Sequence, residues 1–81
     1  MKSNSQIISL ISGIINVDSS ELNNQSGINN VPEWDSLAHM SIIAKLSSIY
    51  QFKVTKDLVL GLSSIDKIYD YLKGIRADLK N

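Results

Sequence analysis

Val31-Pro32-Glu33-Trp34-Asp35-Ser36-Leu37-Ala38-His39-Met40 is the stretch on which the reading of this chain turns. It reads as a loop that passes abruptly into a helix, with Ser36 at the junction. Pro32 holds Val31 extended and stiffens the approach, because its ring sets its own φ and crowds the residue before it. Asp35 and Ser36 both suit a helix start, since their short side-chain oxygens can accept from the unpaired N–H groups of a first turn. From Leu37 onward apolar residues recur at helical spacing: Leu37, Met40, Ile43, Leu46 and Tyr50, with Ala44 alongside. A serine hydroxyl is therefore expected at the positive end of a helix, where the peptide dipoles favour a phosphate group.

Upstream, Ile7, Ile8, Leu10, Ile11, Ile14 and Ile15 form one broad apolar face and predict a helix over residues 5–15. Ser3 with Gln6 has capping-box spacing, and Asn4 or Ser5 would cap equally well. Isoleucine is a middling helix former and Gly13 costs roughly 1 kcal/mol against alanine, so this helix must lean on tertiary packing. Residues 16–35 form a long connection rich in Asn, Ser and Gly. Asp18-Ser19-Ser20-Glu21 has the shape of a capping box and suggests one helical turn. The runs 23–27 and 29–30 are turn formers, and Leu22, Ile28 and Val31 are the residues that would tuck the loop against the helices. A connection this long in so small a domain is either functional or poorly ordered.

Downstream, the central helix is expected over residues 36–50 and Phe52 and Val54 make a short apolar link. Thr55 caps a brief helix over 56–60, which Gly61 is expected to end. Ser63 or Ser64 starts a last helix over 64–73 with Ile65, Ile68, Tyr69 and Leu72 facing inward. Gly74 is a plausible stop, and Ile75 and Leu79 offer one more turn before a frayed tail over 75–81. The sum is an all-α fold in one domain, residues 1–81: a small antiparallel bundle of three main helices and one short one, with a long first loop.

Composition narrows the function. With 81 residues the chain is near the lower limit for folding on a core of its own, and a hydrophobic share of 43% is that of a globular chain. Cysteine is absent, so packed helices must supply the stability; the cytoplasm is the expected compartment. Eight basic and eight acidic residues balance, and no basic stripe suggests nucleic acid. No run of apolar residues suffices to span a membrane, and the polar face of the first helix has almost no Lys or Arg for a surface anchor. Met1-Lys2 followed by the region 7–15 faintly resembles a secretory signal, but Ser9, Ser12 and Gly13 interrupt it and no small-residue cleavage site follows.

Chemistry-bearing clusters are few. One histidine and no cysteine provide none of the usual zinc sets, and four isolated glycines provide no phosphate-cradling loop. Ser36 and His39 share a helix face and suggest a nucleophile and base, yet no oxyanion donors or enclosing pocket accompany them. Neither an enzyme nor a resident metal is expected.

The segment Trp34-Asp35-Ser36-Leu37-Ala38-His39-Met40 resembles the W-D-S-L-x-H-M version of the D-S-L signature of acyl carrier proteins. The resemblance covers nearly the whole chain: helix, long loop, D-S-L at a helix start, short helix and final helix come in the family's order. Leu62-Ser63-Ser64-Ile65 and Asp70-Tyr71-Leu72 look like the family's last helix. It implies that Ser36 receives 4′-phosphopantetheine from coenzyme A through a separate Mg²⁺-dependent phosphopantetheinyl transferase. The arm's thiol then holds cargo as a thioester for acyl- or aminoacyl-loading and condensing enzymes. By similarity, Asp35 helps the transferase hold its metal ion, and Leu37 and Met40 lie beside the arm. Such a carrier is expected to be a stand-alone monomer serving biosynthesis.

In many carriers, residues such as those at positions 40, 43 and 46 line a cavity for an acyl chain. Helical spacing by itself favours plain core packing for Leu37, Met40, Ile43 and Leu46. Trp34 reads as a loop anchor before it reads as an arm contact. His39 reads as an exposed polar residue, with a meeting with a partner enzyme as its functional alternative. Ser36 has its own plainer role, capping the helix. The chain departs from the family in one respect: residues 41–50 contain no acid, and Lys45 is positive. Long-range steering by a basic partner should be weak, so dedicated partners gripping Ala38, Ile42 and Tyr50 are expected, in a specialised pathway. The rival reading is a small helical protein-interaction module without a prosthetic group.

Overall fold

A computed structural model describes residues 2–75 of the chain, with side chains from Ser5 onward. Four α-helices follow one another: α1 Lys2–Ile15, α2 Ser36–Tyr50, α3 Lys56–Gly61 and α4 Ile65–Ile75. α1 packs against both α2 and α4, and α3 leans on α2. The result is the all-helical bundle expected from periodicity, with no strand among the described residues. None of the described helices is long and apolar enough to cross a membrane. Met1 and most of the expected tail, 76–81, lie outside the described residues.

The core is aliphatic. Ile7, Ile11 and Ile15 of α1 meet Ile42, Ile43 and Leu46 of α2 and Ile65, Ile68, Tyr69 and Leu72 of α4, all buried. Tyr69 and the three apolar partners expected to face inward on α4 do so. Ile8, Leu10 and Ile14 are partly buried at its edge. With so many β-branched residues α1 is a helix by packing rather than by preference.

On α2 the buried stripe differs from the expected one. His39, Ile42, Ile43 and Leu46 face inward, and Leu37 and Met40 are 80% and 47% exposed. Counting every apolar residue from Leu37 onward as core misplaces the first turn, because a stripe through His39 rotates it outward. Ile42, expected on the surface for partners, is buried as well.

Helix ends also differ. α1 begins at Lys2, so Ser3, Asn4 and Ser5 lie inside it rather than at its cap. Gly61 is the last residue of α3 rather than its stop, and α4 runs past Gly74 to Ile75. Left-handed caps occur instead at Asn16 (φ 61°) and Gln51 (φ 58°), whose N–H groups donate to Ser12 O at 2.9 Å and Ser47 O at 2.8 Å. Thr55 caps α3 as expected, accepting from Leu58 N at 3.2 Å. The expected turn at Asp18–Glu21 is a 3₁₀ turn over Ser19–Glu21, formed without a side-chain cap bond from Asp18.

The long loop is built, not slack. Asn30 Oδ1 accepts from Gly27 N at 2.8 Å and its Nδ2 donates to Gln25 O at 2.8 Å. Asn23 N donates to the buried Ser26 Oγ at 2.9 Å. The loop then docks on the start of α4: Ile28 N donates to Ser63 O at 3.0 Å, and Ile65 N and Asp66 N donate to Ser26 O and Asn24 O, each at 2.9 Å. Gly27 sits where these backbones cross; a Cβ there would stand 2.1 Å from Ser63 O. Leu22 is buried, and Ile28 and Val31 are partly so, as the tucking role requires.

Candidate functional site

Ser36 is the first residue of α2 and is exposed. The cap belongs to the residue before it. Asp35 has extended backbone (φ −89°, ψ −174°), its Oδ1 accepts from Ala38 N at 2.8 Å, and its carbonyl accepts from His39 N at 2.8 Å. Capping therefore does not consume the serine hydroxyl, and the plainer role for Ser36 falls away. The helix start still presents its N–H groups toward the same end, where an anion is favoured.

Beside Ser36 a mostly apolar cleft of about 220 Å³ opens. The loop contributes Ile28, α2 contributes Ser36, His39 and Met40, α3 contributes Val59 and Leu60, and Ser63, just before α4, completes the lining. Leu60 is 68% exposed, so apolar surface continues outward from the cleft. Leu37 projects from the residue after the serine. Exposed leucine and methionine thus stand beside the exposed Ser36 hydroxyl.

Trp34 and His39 are not surface contacts. Trp34 is fully buried, and His39 is 4% exposed, against the expectation of an exposed polar side chain. Trp34 Nε1–H donates to His39 Nδ1 at 2.9 Å, and His39 Nε2 lies 2.7 Å from Val59 O. An indole N–H only donates and a carbonyl only accepts, so the ring proton sits on Nε2 and both ring nitrogens are engaged. The relay joins the approach loop to α2 and α2 to α3. Breaking it would leave a buried donor or acceptor unpaired, at about 1–3 kcal/mol for each such group. This geometry also separates His39 from Ser36 as an acid–base pair: its nitrogens face Trp34 and Val59.

Of the other expected contacts, Ile43 is fully buried in the core, Ala38 is half-buried, and Met40 lines the cleft. Val59 and Leu60 were not singled out by sequence reasoning, and Ser63 was named only as a start of the last helix. The apolar run Leu58-Val59-Leu60 in a helix too short to have its own core was the available signal. No family model matches the chain, and no curated protein is significantly similar to it in sequence.

Proposed function

We propose that this chain is a carrier protein whose Ser36 hydroxyl accepts a 4′-phosphopantetheine arm. The observation that carries the reading is the exposed Ser36, relieved of capping by Asp35, at a helix start beside an apolar cleft. The resemblance of Trp34–Met40 to the carrier signature supports the same reading. When bound, the arm supplies a thiol that holds cargo as a thioester.

The chain's residues are suited to hold such a group. The helix start favours the phosphodiester's charge, Ile28, Met40, Val59 and Leu60 line an apolar cleft beside the attachment point, and Asp35 is the residue before the acceptor serine, suited to help the transferase hold its metal ion. The domain positions and presents; loading and transfer belong to partner enzymes. On α2 the sole Lys or acidic side chain is Lys45, so partners of this carrier grip Leu37, Ala38, Met40 and Leu60 rather than a row of carboxylates. Binding to them should change little with ionic strength. That pattern suits a specialised biosynthetic pathway.

Intact mass after incubation with coenzyme A, Mg²⁺ and a broad-specificity phosphopantetheinyl transferase tests the proposal. The native chain should gain one phosphopantetheine and Ser36→Ala none. A native chain that stays unmodified leaves a helical interaction module docking through the same apolar surface.

A further inference from the structure

Ser36, His39, Ile43 and Leu46 succeed one another along one side of α2 at helical steps. A chain running inward from the serine along that side meets His39 first. The ring is held from two directions, by Trp34 Nε1–H at 2.9 Å and by its own bond to Val59 O at 2.7 Å. Past it, Ile42, Ile43, Leu46, Ile65 and Ile68 are fully buried in the core. Outside it lies the cleft beside the serine.

We infer that this carrier takes a short acyl cargo, because the Trp34–His39–Val59 tie closes the bundle interior to an alkyl chain. The inference rests on the carrier reading above. To enter the core, a chain must push the imidazole aside and strand the Trp34 N–H and the Val59 carbonyl in dry surroundings. An alkyl chain has no group to replace either bond, so the tie opposes entry although the core itself is apolar. The space left is the cleft. The cleft is about 220 Å³ and open to solvent, so it covers the first few methylenes of a butyryl-sized cargo and leaves the rest of a decanoyl chain in water. His39 is thus a positioning residue: it stands between the cleft it lines and the core, and it limits cargo length by holding that boundary closed.

The test uses the full chain labelled at its isoleucine methyls. The transferase loads it from coenzyme A, butyryl-coenzyme A or decanoyl-coenzyme A, and intact mass verifies each product. Failure to gain any arm would overturn the carrier reading and this inference with it. With the arm in place, butyryl should shift the Ile28 methyl relative to the unacylated arm. Neither cargo should shift Ile42, Ile43, Ile65 or Ile68. Decanoyl should leave the melting temperature no higher than that of the unacylated form. Core-methyl shifts or a raised melting temperature with decanoyl would overturn the inference while leaving the carrier reading intact.

His39→Leu removes both bonds and should let decanoyl shift the core methyls, whereas His39→Gln, which can accept and donate at similar positions, should not. A folded His39→Leu that still keeps decanoyl out would refute the role of the tie. If His39→Leu fails to fold, Trp34→Phe, which deletes one bond and keeps an aromatic ring, is read the same way.

Discussion

At the start of α2 the first-turn N–H of Ala38 goes to the neighbouring Asp35 carboxylate, whereas at the start of α4 the N–H groups of Ile65 and Asp66 go to carbonyls of Ser26 and Asn24, far back in the chain. Both arrangements answer the same need, since a helix begins with donors that have no partner inside it. The local solution uses one side chain and leaves the end open, with Ser36 exposed beside it. The distant solution covers the end with a folded loop and makes it part of the scaffold. At these two starts, the one capped from close by is the one left open to solvent. In this molecule the covered start anchors the loop whose last residues lead into the open one.

That contrast can be broken from either side. The largest expected effect is at the covered start: Gly27→Ala would place a methyl 2.1 Å from Ser63 O, and relief requires the loop to lift off α4. A loss of about 2–3 kcal/mol in denaturant unfolding is expected, together with faster hydrogen exchange at Ile65 and Asp66. Between the two starts, Trp34→Phe keeps the ring but withdraws the donor to His39. Thermal unfolding should register a loss of about 1–3 kcal/mol.

At the open start the effects shrink. Asp35→Ala removes the cap and should cost about 0.5–2 kcal/mol, with Asp35→Asn close to neutral in the same assay because the amide oxygen also caps. Ser36→Ala should change stability by less than about 0.5 kcal/mol, as for an ordinary surface substitution, because it neither caps nor packs. If Ser36→Ala proved as costly as Asp35→Ala, the division of labour between the two residues would be wrong. The smallest stability change is thus paired with complete loss of the proposed modification, a separation that a capping serine would not show.

Much of the architecture was legible because helical spacing reports burial where a helix lies on a single core. α4 is the clearest case: Ile65, Ile68, Tyr69 and Leu72 are read directly from their spacing and are all buried. α2 was harder. Its apolar residues surround most of the helix, so spacing alone chose Leu37 and Met40 where the fold chose His39 and Ile42. A histidine enters a core only when both nitrogens find partners, and those partners, Trp34 and Val59, come from different segments. The long loop was opaque for a related reason: its Asn and Ser residues look like generic turn formers until Asn30 is seen holding Gly27 and Gln25. Glycine was a poor guide to helix ends, since Asn16 and Gln51 take the left-handed conformations.

By itself the sequence determined the helical class, the order of the helices, the junction at Ser36 and the carrier-like signature around it. These follow from local spacing, capping chemistry and the identity of adjacent residues. Only the tertiary structure decided that Asp35 rather than Ser36 caps α2, that Leu37 and Met40 face outward, and that His39 is buried between an indole and a carbonyl. The rotation of a helix about its axis depends on what every neighbouring segment packs against it. A buried polar group such as this imidazole is tolerated only where segments distant in sequence bring a donor and an acceptor together.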